Sequence, residues 1–308
     1  MTTNWPRWHV LVAEAQFATD LTVDGLRRLC LVPGEVDLEH WIGDDRNYAL
    51  HVGMHSYASG LERLCKLAIA CHGFTSTGEF PRTRAFSHRI GGLLDAVEDL
   101  DPIASSGASS RRYLARPSDD LDPRLTEAVE RYANGPGRYE HLDSLWNPDA
   151  EVGMYRTWVS LCRNSRVPEQ VHRLVAIQSA VAEAVAAELS HAGLESSGDA
   201  VVMEFDRAAR VSLPSVGVAL SLFRKARWVS SIIDETTYYT HPDLPLLGEA
   251  VNVLRCSSPD FYAYEIARFS DVDVIEEELS EVLPRVHERW RAEEEEEEER
   301  AAPGSSAP

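Results

Sequence analysis

Basic residues are scarce in this sequence relative to acidic ones. Its 308 residues include 30 lysines and arginines against 50 aspartates and glutamates, which gives a formal net charge of −20. The run Glu293 to Glu299 with the following Arg300 accounts for −6, so the rest of the chain carries −14. Non-specific binding to duplex DNA requires clustered cations that neutralise phosphates. We therefore do not expect a duplex DNA-binding protein, although a local basic pocket is compatible with this composition.

Cysteine and long apolar runs are also in short supply. The five cysteines are odd in number and none has C-x-x-C spacing, which argues against zinc ribbons and disulfide frameworks. The N-terminus has no basic segment followed by an apolar run, and no stretch of about 18 apolar residues occurs, so neither a signal peptide nor a membrane span is expected. Gly-rich phosphate loops and nucleophile elbows are absent from the sequence as well. These features predict a cytoplasmic protein with free thiols.

Apolar residues recur at steps of three and four along most of the chain, a period that predicts an all-α protein. The predicted helices cover 6–31, 45–72, 84–100, 122–132, 152–162, 168–191, 215–240, 244–254, 259–268 and 274–291. Gly73 is predicted to end the second helix. Residues 103–120, rich in Ser, Gly and Pro, are predicted to form a long flexible loop, and residues 194–213 fit a helix or a short strand.

The predicted helices group into three regions. Residues 1–146 are expected to form a helical bundle and residues 147–291 a helical C-terminal region, since the register of the apolar residues changes from Asn147 onward. Residues 292–308 are a low-complexity acidic tail that we expect to be disordered. The sequence contains no internal repeat.

Two histidines on the second helix could serve chemistry or packing. Arg46 and His51 have the Arg-x4-His spacing of HEPN ribonucleases, where general acid–base chemistry needs an imidazole beside a cation. A helix-capping arginine and a partly buried histidine explain the spacing equally simply, and we favour that interpretation. His51 and His55 lie one turn apart and could chelate a metal, but the adjacent glutamate of zinc proteases is missing. We predict no metal site and no cofactor.

A polar network is predicted between the second and third helices. Glu62 and Lys66 are spaced i,i+4, and His88 would open the third helix, where an anion is also favoured. The network could bind a ligand, or it could be a salt-bridge system that fixes the helix pair. Arg138 and Tyr139, in a Gly-rich break, could clamp a phosphate or stack on a base, or Arg138 could pair with a carboxylate. These five residues form the candidate binding site.

Two further segments are rich in basic residues. The densest basic patch of the first half comprises Arg111, Arg112 and Arg116. In the later helix, Arg224-Lys225-x-Arg227 could bind an anion, although a solvated helix face is the commoner explanation.

In their order along the chain, these features resemble a HEPN domain over about residues 8 to 143. The second helix contains Gly60-Leu61-Glu62-Arg63-Leu64-Cys65-Lys66, the third His88-Arg89-Ile90-Gly91-Gly92-Leu93-Leu94, and the fourth is followed by Arg138-Tyr139. Arg89 stands where the family usually has Asp. The resemblance implies an up-and-down helical bundle, here followed by a helical extension. The chain is also similar to uncharacterised bacterial proteins with a GLERL-x-KL helix.

The nuclease motif of HEPN ribonucleases lies late in the bundle. Arg131 and Arg138 occur near that position, but no histidine follows either of them by four to six residues, and His141 is only three after Arg138. Arg46 and His51 lie too early in the bundle. The chain therefore resembles the branch of the family that lacks the nuclease motif. That branch is associated with nucleotide binding and assembly.

This resemblance implies a non-catalytic protein that binds a nucleotide, RNA or a protein partner, in bacterial stress or phage defence. It also implies a homodimer by analogy with the family. A metal-independent endoribonuclease is the alternative, with His88 or His141 acting beside Arg82, Arg84 or Arg138. A purely structural helical scaffold is the third hypothesis.

Overall fold

The protein is all-α, as its periodicity predicts. The structure is a computed structural model, and it describes residues 5–30, 32, 34, 45–100, 111–135, 137, 139, 142, 145–146, 153–166, 176, 180, 183–187, 190, 193, 195–255 and 291. These residues form helices, turns and bends, with no strand among them. None of the described helices is long and apolar enough to cross a membrane.

The helices of the described residues are bounded as follows. The first two are long, α1 (Trp5–Cys30) and α2 (Asp45–Thr77), and a 3-10 turn (Thr83–Phe86) separates them from the shorter helices of the bundle. Next come α3 (Ile90–Glu98), α4 (Arg111–Leu114), α5 (Asp122–Ala133) and α6 (Met154–Asn164). The 43-residue α7 (Glu195–Thr237) precedes the short α8 (Leu247–Ala250) and α9 (Asn252–Arg255).

The chain divides into two compact units. Unit 1 comprises Met1–Val167 and Val211–Ala267, and unit 2 comprises Pro168–Arg210 and Arg268–Pro308. Unit 1 thus runs across residue 146, where the sequence predicts a domain boundary. Where unit 2 is described it is mainly helical, with a turn at Gly193, whose φ is +76° and whose N–H donates to Ser190 O at 2.9 Å. The helix predicted at 259–268, residues 274–290 of the helix predicted at 274–291, and the acidic tail lie outside the described residues.

The pairing of α1 with α2 organises unit 1. The two helices run antiparallel, since Gly25 lies against Tyr57 while Gly60 lies against Thr22 and Ala18. A Cβ atom added to Gly60 would lie 2.7 Å from Thr22 N and 2.8 Å from Ala18 O. At these positions the two backbones touch, and no side chain larger than hydrogen fits between them.

The apolar stripe predicted for α2 faces the core. Its seven members are fully buried: Leu50, Met54, Tyr57, Leu61, Leu64, Cys65 and Ala68. Helices α3 and α5 pack on α2, and the second half of α7 adds Leu222, Phe223 and Val229 to the same core. The Tyr57 hydroxyl donates to Leu222 O at 2.8 Å. A buried hydrogen bond therefore joins the N-terminal helices to a segment that follows them by more than a hundred residues.

The prediction that Gly73 ends α2 is wrong, because the helix continues to Thr77. Gly73 lies inside it, and a Cβ atom there would lie 2.7 Å from Cγ and Cδ of Pro81. The helix instead ends at Gly78, whose φ is +76° and whose N–H donates to Phe74 O at 2.7 Å. Glycine is favoured in this left-handed conformation because it has no Cβ. Gly73 thus permits a close approach, while Gly78 makes the turn.

Four other segments differ from their prediction or are settled by the structure. The helix predicted at 84–100 is divided into the 3-10 turn and α3, with Ser87 between them at φ +48°. Part of the loop predicted at 103–120 is the short helix α4, whereas 101–110 lie outside the described residues. The segment 194–213, compatible with helix or strand, belongs to α7 from Glu195 onward. The helix predicted at 244–254 is two short helices, α8 and α9.

Candidate functional site

Three of the five predicted site residues meet at the junction of α2 and the turn before α3. The Lys66 ammonium donates to Glu62 Oε1 at 2.7 Å. The ring of His88 lies on the other side of the same carboxylate, with Nδ1 at 3.0 Å from Oε2 and 3.1 Å from Oε1. Because Glu62 accepts from both partners, it is the centre of this cluster.

The turn before α3 positions His88. Lys66 also donates to the carbonyl oxygen of Ser87 at 2.8 Å. Ser87 has a positive φ, which costs free energy for a residue with a Cβ unless its surroundings hold it there. The bond from Lys66 is such a restraint. Lys66 therefore fixes both the carboxylate and the turn that places the imidazole beside it.

Glu62 is ionised in this environment. Its side chain is only 12% exposed, and this burial, the largest influence, would by itself raise its pKa. The hydrogen bonds from Lys66 and His88, together with their positive charges, outweigh the burial and hold the pKa of Glu62 below its ordinary value. The carboxylate thus remains charged at neutral pH and acts as an acceptor.

The cluster opens into a groove of about 790 Å³ between α1 and α2. We call this the α1–α2 groove. Its polar walls also include Arg63, which donates to Glu14 at 2.7 Å and lies 4.9 Å from the centre of the Phe17 ring. Its apolar lining comprises Val10, Leu11, Phe17, Leu21, Leu67 and Ala70. The groove therefore combines an apolar surface with paired charges.

Hydrogen-bonding capacity remains in the α1–α2 groove after these contacts. The Lys66 ammonium has three N–H groups, and Glu62 and Ser87 accept two of them. Nε2 of His88, whose side chain is 59% exposed, has no partner among the described residues. A ligand in the groove can thus meet a donor from Lys66 and an imidazole nitrogen held in a set orientation.

The contribution of α1 to this groove was not predicted from the sequence. Val10 and Phe17 belong to the apolar residues of the first predicted helix, yet they are 67% and 50% exposed. The mixed three- and four-residue steps of α1 spread its apolar residues over more than one face of the helix. This spread was the only sign in the sequence that some of them would stay exposed. Glu14 and Arg63 pair across helices, which no spacing within one helix reveals.

The anion expected at the N-terminus of α3 belongs to the protein itself. The Glu130 carboxylate of α5 accepts from the Gly91 N–H at 2.8 Å, within the first turn of α3. A carboxylate is stabilised there by the unpaired N–H groups and the helix dipole. One N–H group of that helix end is therefore already paired with a carboxylate of the protein.

Of the other two predicted site residues, only Tyr139 is described. Arg138 is outside the described residues, and Tyr139 is 57% exposed in a bend. The His51 ring accepts or donates a hydrogen bond at 2.6 Å with the Tyr132 hydroxyl, which ties α2 to α5. His55 lines the α1–α2 groove. Within the described part of the chain, no group of three or more His, Cys, Asp or Glu residues could hold a metal ion.

Comparisons with protein-family models, with curated proteins and with solved structures found no match to this chain.

Proposed function

We propose that this chain is a non-catalytic, HEPN-like helical protein whose α1–α2 groove binds a nucleotide. The observation that carries the proposal is the Glu62–Lys66–His88 cluster, which lines a large groove together with an apolar surface. The HEPN resemblance of the sequence supports the same conclusion. RNA with an accessible end and a homodimeric assembly belong to this proposal by analogy.

The size and lining of the groove suit a nucleotide. Small-molecule sites typically enclose about 300–1,000 Å³ and combine apolar walls with a few polar groups. The volume of 790 Å³ falls in this range. The half-exposed ring of Phe17 offers a surface for a base, since bases stack on aromatic side chains. Lys66 and His88 supply contacts for a phosphate or ribose.

The charge balance of the groove favours a ligand with few charges. Glu14 pairs with Arg63, and Glu62 pairs with Lys66 and His88, so the cations are already partly neutralised. The chain as a whole is strongly acidic, which repels extended polyanions. A nucleoside monophosphate or a single RNA end therefore fits better than a long nucleic acid.

The substitution Lys66→Met tests the proposal. It removes the donor while keeping an apolar stem of similar length, so we expect nucleoside monophosphate affinity to fall at least about tenfold. Isothermal titration calorimetry measures this affinity, and thermal unfolding confirms that the variant is folded. The control is Arg163→Met, which removes an exposed cation of α6 that does not line the groove. Equal affinities in wild type and Lys66→Met, or no binding of any nucleotide, contradict the proposal.

One observation favours the endoribonuclease alternative. Glu62 holds Nδ1 of His88, as a carboxylate orients the imidazole of a general base, and leaves Nε2 for a substrate. Cleavage of single-stranded RNA without added metal, lost in His88→Ala and retained in His51→Ala, would favour this alternative. If Lys66→Met and Glu62→Gln lower stability and the chain binds no ligand, the purely structural hypothesis is favoured instead.

A further inference from the structure

A second basic site, separate from the α1–α2 groove, is built from two distant segments of the chain. Arg116 follows α4, while Arg224 and Arg227 lie one turn apart on α7. All three line a pocket of about 250 Å³ together with Tyr113 and Trp228. We call this the arginine pocket. The structure thus combines parts of the two basic segments that the sequence shows separately.

The charge of the arginine pocket is unusual for so acidic a chain. Three guanidinium groups line it, and none of its described lining residues is acidic. Arg116, however, is paired with Asp95, Glu98 and Asp122, which do not line the pocket. No ion pair joins Arg224 to any described carboxylate, and Arg224 is exposed. Lys225, between the two arginines of α7, is directed into the core, where its ammonium contacts Asp122. The predicted basic patch is therefore divided, with the arginines at the pocket and the lysine inside.

The walls of the arginine pocket are held in place before any ligand arrives. Arg116 donates to Asp95 and Glu98, both at 2.8 Å, and its side chain is only 17% exposed. The guanidinium of Arg227 lies 5.2 Å from the ring centre of Tyr113. Trp228 Nε1 donates to Leu114 O at 3.1 Å, which attaches the α4 segment to α7. Binding to such a preorganised site loses little conformational entropy.

We propose that the arginine pocket binds the phosphate group of a small phosphomonoester. Guanidinium groups present fork-shaped donors that match phosphate oxygens. A phosphomonoester carries a charge of about −1.5 to −2 at neutral pH, which suits several arginines better than the single charge of a carboxylate. The volume of 250 Å³ is below the range of about 300–1,000 Å³ for whole ligands, so the pocket takes one end of the molecule.

Calorimetric titration of the full-length chain with phenyl phosphate, inorganic phosphate and phenol tests this proposal. We expect both phosphates to bind and phenol not to bind. Arg224→Gln should lower the affinity for both phosphates at least about tenfold, because one charged donor is lost. Arg163→Gln, which removes an exposed arginine outside the pocket, should leave both affinities unchanged.

Three outcomes would overturn the proposal. The first is the absence of binding by either phosphate in the wild-type chain. The second is equal affinity in wild type and Arg224→Gln, with thermal unfolding showing that both are folded. The third is an equal loss in Arg224→Gln and Arg163→Gln, which would indicate general attraction of anions to surface charge.

Discussion

Glu62 is the residue on which the candidate site depends. A single carboxylate accepts from Lys66 on its own helix and from His88 on the following turn. Removal of this acceptor leaves an ammonium and an imidazole without their shared partner, and it leaves the positive-φ turn at Ser87 dependent on Lys66 alone. The functional and structural roles of the cluster are therefore coupled through one side chain.

The ionisation of Glu62 predicts how stability depends on pH. Its pKa in the folded chain lies below the ordinary value of 4.5, so its contribution is complete above that pH. The contribution is lost as the pH falls through the folded-state pKa. We expect Glu62→Gln to lower the free energy of unfolding by about 1–3 kcal/mol at neutral pH, and by much less at strongly acidic pH. Urea unfolding of both chains at the two pH values measures the difference.

Glu14→Gln is the matched control for this experiment. Glu14 also accepts from a cation, Arg63, but the side chains of this pair are 38% and 41% exposed. Exposed ion pairs typically contribute only about 0–1 kcal/mol. A loss in Glu14→Gln equal to that in Glu62→Gln, or a Glu62→Gln effect that grows toward acidic pH, would contradict this account of Glu62.

Among the elements, the pairing of α1 with α2 determines the geometry of the groove. The two helices approach closely because Gly25 and Gly60 allow backbone contact. Side chains on either side of this contact, including Glu14 on α1 and Glu62 on α2, then form the walls of the α1–α2 groove. Any change that separates the helices alters the site without touching a polar residue.

Gly60→Ala tests the importance of this close approach. Alanine is the better helix former, yet its Cβ would overlap backbone atoms of Thr22 and Ala18. We expect a destabilisation of about 1–3 kcal/mol, typical of overpacking. The matched control is Gly92→Ala on the exposed side of α3, where the nearest heavy atom would lie 4.0 Å away. There we expect a gain of about 0.5–1 kcal/mol. Thermal or urea unfolding measures both, and stabilisation by both substitutions would disprove the close contact.

At the scale of the whole molecule, unit 1 is built from two stretches of sequence. Its core includes Tyr57 and Tyr132 from the N-terminal helices, and Leu222, Val229 and Ile233 from α7. The contact between Lys225 and Asp122 is buried in the same unit, with the lysine side chain 5% exposed. Burial lowers the pKa of Lys225, while Asp122 opposes this effect by stabilising the charged form. The N-terminal helices are therefore completed by residues that follow Val211.

This organisation predicts that the fragment 1–146 does not fold by itself. Without α7, the apolar surface that covers α2 and α5 is missing, and Asp122 loses its buried partner. We expect the fragment to lack a cooperative unfolding transition and to bind a hydrophobic dye, whereas the full chain unfolds cooperatively. Circular dichroism and dye fluorescence make the comparison. A cooperative transition of 1–146 near the midpoint of the full chain would contradict the prediction.

The sequence by itself determined the helices and most of their buried faces, because helical periodicity is a local property. The stripe of α2, the bounds of α1 to within one residue and the i,i+4 pair of Glu62 and Lys66 all follow from spacing along one helix. Helix ends were less predictable. Gly73 did not end α2, because the local preference of glycine for helix ends was overridden by close packing against Pro81.

Only the tertiary structure decided the charged contacts outside the Glu62, Lys66 and His88 cluster. Arg63 pairs with Glu14, Lys225 contacts Asp122, and Arg116 joins Arg224 at one pocket. Each of these arrangements depends on the packing of helices that are distant in sequence. Neither composition nor spacing within one helix shows which of these helices will contact each other. The exposure of Phe17 has the same cause, since a helix face is buried only where another element covers it. The helices were thus predictable from local pattern, while both candidate sites arise from contacts between them.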